Sequence, residues 1–498
     1  MKLENNGKLW SRSSIRILIS ILSIFFFLQS YLKLGTTIVL GADEGFELAK
    51  ATLCLHGYHL YADVWNDQPP LLTFLVTGIL KHISLSAIWP RLLTGLFSAI
   101  LLFSLFFMAL RTNVLRVAAL AALLVIASPG FLILGSTCML EVPALATAIA
   151  ALAALQSQLR SPWKELLAGV IFGVSFEIKL INFILLPLAA AILYWQQPKS
   201  SLRSVTKSLL ILGAALVVTT VVTDYIASGG AYLSHFGTAL ASHFGTVKST
   251  AHGSPSDHPF DWLALINSWD LTIPALFGVF VCLRSRHDPL SLLPVAWLAL
   301  EFVVFGIHQP WWHYYIIHTS LPLCWCAAIG WVAAFRFAIA QRRRLILAGM
   351  ALLSVVAGIW MSARLYLEIA ETRHSPQTYT SLFLQEIARR KPDTKWFYSE
   401  EPIYSFYAQI PTPPDLAVVM LKRFWSGEIS DEKIAAELAE YKPGLILIRN
   451  NSIQRPYHAL LDSEYQLVYM DNDHLLYALI DRSKAPKRLH GLERLPGH

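Results

Sequence analysis

A series of long apolar runs, punctuated by arginine and lysine, constrains this chain more than any other feature. The runs span residues 17–31, 88–110, 117–135, 138–155, 209–226, 263–283, 292–307, 315–335 and 345–361. One further apolar stretch, 166–195, is too long for one crossing and is interrupted by Glu177, Lys179 and Asn182. A helix needs about 20 apolar residues to cross a hydrocarbon core of about 30 Å. Reading 166–195 as two short helices that meet at a break gives about eleven membrane-spanning helices. Only 15% of the residues are charged and 55% are hydrophobic, against roughly 25% charged in soluble domains, so a soluble globular enzyme is excluded.

The basic residues set the orientation. Arg12 and Arg16, Arg111 and Arg116, Arg160 and Lys164, Lys199, Arg203 and Lys207, Arg284 and Arg286, and Arg342 to Arg344 all fall at alternate ends of successive runs. The positive-inside rule then predicts a cytoplasmic N-terminus. No small-residue cleavage site follows the first run, which reads as an uncleaved helix. The net charge of +7 is thereby explained without nucleic acid, which is not an expected partner. The five cysteines, Cys54, Cys138, Cys282, Cys324 and Cys326, are scattered and imply no disulfide framework.

Two regions are more polar. Residues 366–498 read as a small extracytoplasmic α/β domain. Within it 377–389 has helical spacing, 395–399 and 445–449 are strand-like, and 431–441 is a helix capped by Ser430. Residues 465–470 and 474–480 flank Asp471-Asn472-Asp473 as a hairpin. The domain carries no catalytic motif and is expected to act as a scaffold or lid. Residues 1–365 form the transmembrane domain, whose outer loop 35–87 contains the second polar region. Its stretch 41–72 gathers Asp43, Glu44, Glu47, His56, His59, Asp63 and Asp67 in apolar surroundings, more carboxylates than a connecting loop needs.

Other ionisable residues fall on the same outer side. Arg91 opens the second apolar run, Glu141 the fourth, Lys179 lies at the break in 166–195, and His308, His313 and His318 flank an aromatic turn. Ionisable groups at membrane depth are costly and mark functional sites, although Arg91 or His318 alone also fits a snorkelling side chain, and Glu141 with Lys179 also fits a structural ion pair. Acids and cations at the outer surface suit glycosyl transfer from a lipid phosphate. Cations neutralise the phosphate leaving group, and one carboxylate deprotonates the acceptor hydroxyl. A single displacement by one base inverts the sugar carbon. Asp43 is the candidate base, and Lys179 and Arg91 are candidate phosphate ligands.

The motifs also carry a resemblance. Asp43-Glu44 directly after the first helix, the run Tyr61-Ala-Asp-Val-Trp65-Asn-Asp-Gln-Pro69-Pro70-Leu71, Arg91-Leu92, Glu141-Val-Pro143, Lys179 after Gly169 and Gly173, Tyr314-Tyr315 and Pro322 resemble the GT-C membrane glycosyltransferases. Bacterial relatives of the protein O-mannosyltransferases and of the lipid A aminoarabinose transferase are the members meant. The resemblance covers roughly residues 15–328. It implies a polyprenyl-phosphate sugar donor, a lipid, glycan or protein acceptor, membrane lipids as surroundings and a bacterial inner membrane as location. It implies Asp43 as catalytic carboxylate with Glu44 beside it. Glu141 stands at a second acidic position that is usually Asp, one methylene shorter.

Tyr315 joins Lys179 and Arg91 as a donor-phosphate residue, and Trp65, Gln68, His313 and Tyr314 are expected at the substrate. Trp311, Trp312, Tyr314 and Tyr315 offer aromatic faces to a sugar. The resemblance further implies a divalent metal (Mg, Mn or Zn) as an optional component, held by Asp67 and a histidine of a later outer loop. His235, His243 and His258 are the candidates, with His243 the one chosen. His235-Phe-Gly-Thr and His243-Phe-Gly-Thr repeat at a spacing that places both histidines on similar faces of a helix. The competing reading is a transporter or flippase for a lipid-linked sugar. Such proteins hold their charges near the midplane in two related halves, whereas these charges gather at the outer rim.

Overall fold

The computed structural model describes residues 11–37, 43–196, 202–244, 252–284, 289–341, 344–374, 381–450 and 457–480, with side chains described up to residue 237 in the third segment. The long apolar runs in these segments are helical over most of their length, and 117–135 is broken by a turn at residues 127–130. In chain order the first helices are α1 (Arg12–Ser30), α2 (Asp43–Leu55), α3 (Leu71–His82), α4 (Ile88–Thr112), α5 (Leu115–Ile126), α6 (Phe131–Leu134) and α7 (Glu141–Leu155). They are followed by α8 (Trp163–Phe176), α9 (Leu186–Trp195), α10 (Leu202–Ser228), α11 (Ala231–Phe244), α12 (Trp262–Asn267), α13 (Trp269–Arg284), α14 (Leu293–Ile307), α15 (Ile316–Ala340) and α16 (Arg344–Arg373). Among the described residues six helices, α14 and α15 each with its short 3-10 lead-in, are long and apolar enough to cross a membrane alone, and α12 with α13 forms a bent pair that makes a seventh. The protein is a multi-pass membrane protein.

Local chemistry explains where these helices begin and break. Ser11 caps α1 by accepting from the Ser14 N–H at 3.0 Å. Pro143 lies in the first turn of α7 and a proline opens α9, positions where the missing N–H costs nothing. The stretch 166–195 breaks at Glu177–Lys179 into α8 and a 3-10 turn, Leu180–Leu185, that leads into α9. Lys164 at the start of α8 donates to Gln196 just past α9 at 2.7 Å, so the two helices form a hairpin. Gly169 and Gly173 line the face of α8 against α10. A Cβ at Gly169 would collide with the Leu212 carbonyl, and one at Gly173 would meet Thr219 and the Leu216 carbonyl. Small residues here allow close helix contact where no hydrophobic effect drives association.

The membrane helices share one apolar core. Arg364 of α16 grips Asp270 of α13 with both terminal nitrogens, at 3.1 and 3.0 Å, and the CxC pair, Cys324 and Cys326, is buried as packing residues in α15. Leu210, Val217 and Val218 of α10 and Leu352 and Val355 of α16 point outward, as lipid-facing residues do.

The C-terminal unit follows its sequence reading closely. It comprises α17 (Leu382–Arg390), β1 (Phe397–Ser399), α18 (Ile403–Ala408), α19 (Leu421–Ser426), α20 (Asp431–Tyr441), β2 (Leu445–Arg449), α21 (His458–Glu464), β3 (Tyr465–Met470) and β4 (His474–Leu479). The sheet order is β1-β2-β4-β3, with β1 and β2 parallel and the other pairs antiparallel. The β3–β4 hairpin turns at 471–473, and Ser430 caps α20. Alternation along β2 buries both faces of the sheet. Leu445 and Leu447 pack with α17 and α18, whereas Ile446 and Ile448 pack with Ile434 and Leu438 of α20. The first of these cores also contains Leu48 and Ala51 of α2 and Leu72 and Val76 of α3. The unit is thus built directly onto the 41–72 region. That region, read as a loop, begins with two helical turns and more, because α2 starts at Asp43.

Candidate active site

Helix α2 places Asp43, Glu47 and Lys50 at spacings of four and three, hence on one face. That face, the start of α7, the break at Lys179 and the 3-10 turn His313–Tyr315 surround a small inner recess of about 70 Å³. Asp43, Glu47, Asp67 and Glu141 contribute four carboxylates to it, and Lys50, Lys179 and Lys422 three ammonium groups. A larger outer cavity of about 490 Å³ adjoins it, between the His252 and Trp312 segments and the Tyr398, Glu400 and Arg449 side of the C-terminal unit. Asp43, Phe46, Tyr314, Met420 and Lys422 line both spaces. Asp43 therefore stands at their junction.

The charges in the recess are arranged in pairs. Lys50 donates to Glu47 at 2.5 Å and to Asn66 at 3.0 Å, while Thr73 donates to the other Glu47 oxygen at 3.0 Å. Lys179 donates to Glu141, and its ammonium also lies 5.3 and 5.2 Å from the Tyr314 and Tyr315 ring centres. Lys422 lies 3.4 Å from Asp67, which also accepts from the Gln68 amide at 3.0 Å. Asp43 is the recess carboxylate that no hydrogen bond or ion pair engages among the described residues. Burial, reinforced by the nearby Glu141 charge and opposed by Lys179, pushes its carboxyl up to about 6. A carboxylate with that affinity for protons is matched to general-base work near neutral pH.

The structure separates the expected site residues into groups. Asp43, Glu141, Lys179, Tyr315, Tyr314, Gln68 and Asp67 all line the inner recess, and His313 lines the outer cavity. Arg91 and Glu44 stand elsewhere. Arg91 is fully buried, its Nε and Nη2 donate to Glu44 at 2.8 and 2.6 Å, and its Nη1 donates to the Leu34 and Thr37 carbonyls. Four of the five guanidinium N–H groups of Arg91 are thus engaged inside the protein, and Glu44 Oε1 also accepts from the Cys138 N–H at 2.9 Å. The pair fastens the start of α2 to the start of α4 and lines neither the recess nor the outer cavity.

Trp65 anchors the 41–72 region to the C-terminal unit. Its indole N–H donates to Glu428 at 2.5 Å and the Arg423 guanidinium lies 5.0 Å from its ring. His59 and Asp63 pair with each other in solvent. His243 falls in α11 together with His235, but the side chain of His243 lies outside the described residues. Among the described residues no group of three or more His, Cys, Asp or Glu side chains is assembled to hold a metal. Lys50 and Lys422 were missed by sequence reasoning. The i, i+4, i+7 spacing from Asp43 was the available signal for Lys50; Lys422 is 355 positions from its partner Asp67 and had none.

No protein-family model and no curated protein matches the chain. Solved structures do. The ArnT of Cupriavidus metallidurans, bound to undecaprenyl phosphate, superposes with a TM-score of 0.68 at 15% identity, over 96% of this chain and 100% of that one. The fold is the GT-C fold. The archaeal oligosaccharyltransferase AglB of Archaeoglobus fulgidus, in complex with an inhibitory peptide and a dolichol-phosphate, matches with a TM-score of 0.58 at 9% identity, over 96% of this chain and 75% of that one. An Archaeoglobus fulgidus oligosaccharyltransferase in complex with Zn and sulfate matches with a TM-score of 0.54 at 11% identity, over 92% and 73%. The GT-C likeness to ArnT extends beyond the membrane helices through the C-terminal unit, since it spans nearly the whole chain.

Proposed function

We propose that this protein is an inverting glycosyltransferase that moves a sugar from a polyprenyl-phosphate donor to a hydroxyl on a lipid, glycan or protein acceptor. The observation that carries the reading is the position of Asp43, a half-buried carboxylate without an ion-pair partner among the described residues, at the junction of an open cavity and a recess that holds three ammonium groups. The bound undecaprenyl phosphate of the ArnT structure and the dolichol-phosphate of the AglB structure support the donor class.

In this reading the donor phosphate enters the inner recess toward Lys179, and the acceptor enters the outer cavity. Asp43 takes the proton from the acceptor hydroxyl. The acceptor oxygen bonds to the anomeric carbon as the bond from that carbon to the phosphate oxygen breaks. The electron pair leaves with the polyprenyl phosphate, whose charge rises from one to two, and the configuration at the anomeric carbon inverts. Ammonium groups aimed at the leaving phosphate stabilise that developing charge. Glu141 holds Lys179 in place across the break, and Tyr314 and Tyr315 keep its ammonium facing the recess.

We place the enzyme in a bacterial inner membrane, with its N-terminus cytoplasmic and residues 366–498 as an extracytoplasmic domain joined to the transmembrane part by α16. Asp67, the carboxylate that would hold an optional divalent metal together with a histidine of a later outer loop, meets Gln68 and Lys422 in this structure. A transfer assay in purified membranes tests the whole reading, using a panel of radiolabelled polyprenyl-phosphate sugars, wild type and Asp43→Asn, with and without chelator. Transfer by wild type alone is expected. Equal transfer by the asparagine variant removes Asp43 as base, and movement of an intact labelled donor across the bilayer without transfer identifies a flippase. Loss of transfer on chelation, restored by one added ion, would assign the metal.

A further inference from the structure

We infer that Lys422, supplied by the C-terminal unit, is a ligand of the donor phosphate and takes the place in leaving-group stabilisation that sequence reasoning gave to Arg91. The inference rests on the glycosyl-transfer reading and adds a residue to it. Of the three ammonium groups in the inner recess, Lys50 and Lys179 are held tightly by neighbouring carboxylates on the membrane-proximal side. Lys422 differs in three respects. It lines the outer cavity as well as the recess, as Asp43 does. Its contact with Asp67, 3.4 Å, is longer than the 2.5 Å of Lys50 with Glu47. Its side chain is 19% exposed, against 3% for Lys50, so a ligand in the recess can reach it.

The segment that carries Lys422 is fixed in place. The neighbouring Arg423 lies against Trp65, and its Nη1 donates to the Val418 carbonyl at 2.7 Å. Trp425 stacks on Trp312 with the ring planes 3° apart. The ammonium is thus held over the junction by contacts to two outer segments of the transmembrane part, and the lysine stem supplies the reach. When the bond between the anomeric carbon and the phosphate oxygen breaks, the phosphate gains one negative charge. Asp67 gains none. The ammonium is drawn from Asp67 toward the phosphate as that charge develops, which is stabilisation realised in the transition state. The C-terminal unit on this view is part of the donor site and not only its scaffold.

The test uses the full-length protein in lipid nanodiscs and two probes, undecaprenyl phosphate and undecaprenol, which differ only in the phosphate. Wild type is expected to prefer the phosphate lipid. Lys422→Ala is expected to bind it about tenfold more weakly, as loss of one charge-assisted hydrogen bond predicts, with undecaprenol binding unchanged. Lys422→Arg, which keeps the charge, is expected to restore most of the preference. Unaltered preference in Lys422→Ala overturns the inference. So does equal loss for both lipids, which would mark a structural role, and unchanged thermal unfolding of the variants keeps the comparison valid. If wild type itself shows no preference for the phosphate lipid, the transferase reading falls, and this inference with it.

Discussion

Arg91 and Glu44 face each other as a two-pronged ion pair with no exposure to solvent, the guanidinium Nε and Nη2 on the two carboxylate oxygens at 2.8 and 2.6 Å. The pair ties the first turn of α2 to the first turn of α4, and through the Leu34 and Thr37 carbonyls to the end of the segment after α1. Asp43, the neighbour of Glu44, is positioned by this fastening. Removing one partner strands a buried charge. Arg91→Met is expected to destabilise the protein by about 3–5 kcal/mol, seen as lower thermal unfolding in detergent. Donor affinity in the surviving folded fraction should stay near wild type. A selective loss of phosphate-lipid binding with normal stability would return Arg91 to the donor site.

The raised proton affinity of Asp43 gives a pH dependence. Its carboxyl is pushed up to about 6 by burial and by Glu141, and only the ionised form accepts a proton from the acceptor. Transfer should therefore fall as the pH drops through about 6 and level off above it. Asp43→Asn should lower the rate by about 10²–10⁴-fold on the plateau above pH 6 and abolish this limb of the profile. Both follow from initial rates measured across pH with saturating donor.

Lys179 and Glu141 separate structure from chemistry. Lys179→Met alone leaves Glu141 buried without its cation and should reduce both folded yield and transfer. Lys179→Met with Glu141→Leu replaces the pair by apolar groups, which is often neutral for stability. That double variant should fold, yet remain about 10²–10³-fold slower in transfer, the scale lost with a transition-state charge stabiliser. Recovery of transfer together with folding would show the pair to be structural only.

Gly45 controls how the C-terminal unit sits over the site. A Cβ there would strike the backbone of Pro402 and Ile403 at the start of α18, and backbone cannot rotate away as a side chain can. Gly45→Ala should destabilise by about 1–3 kcal/mol, the usual cost of overpacking. It should also slow transfer, because Lys422, Tyr398 and Arg449 move with the unit. Thermal unfolding paired with the transfer assay checks this, and wild-type values in both would mean that the unit shifts without consequence.

Although α2 and the short helices α18, α19 and α21 were not legible in the sequence, the long membrane helices, the break at Glu177–Lys179, the strands, the hairpin at 471–473 and the capped helix at 431–441 were. These are local matters: apolar length, proline and glycine placement, capping and alternation act over a few residues. The sequence also placed Asp43, Glu141, Lys179, Tyr314 and Tyr315 on one side of the membrane helices, because topology follows from counting spans. What only the tertiary structure decided is which charge meets which. Arg91, Glu44, Lys50 and Lys422 are the same in kind to a reader of sequence, a charge near apolar residues. Coulombic pairing depends on separations of a few ångströms between side chains far apart in the chain. That distance turned Arg91 inward to Glu44, set Lys422 beside Asp67 and left Asp43 without an ion-pair partner among the described residues.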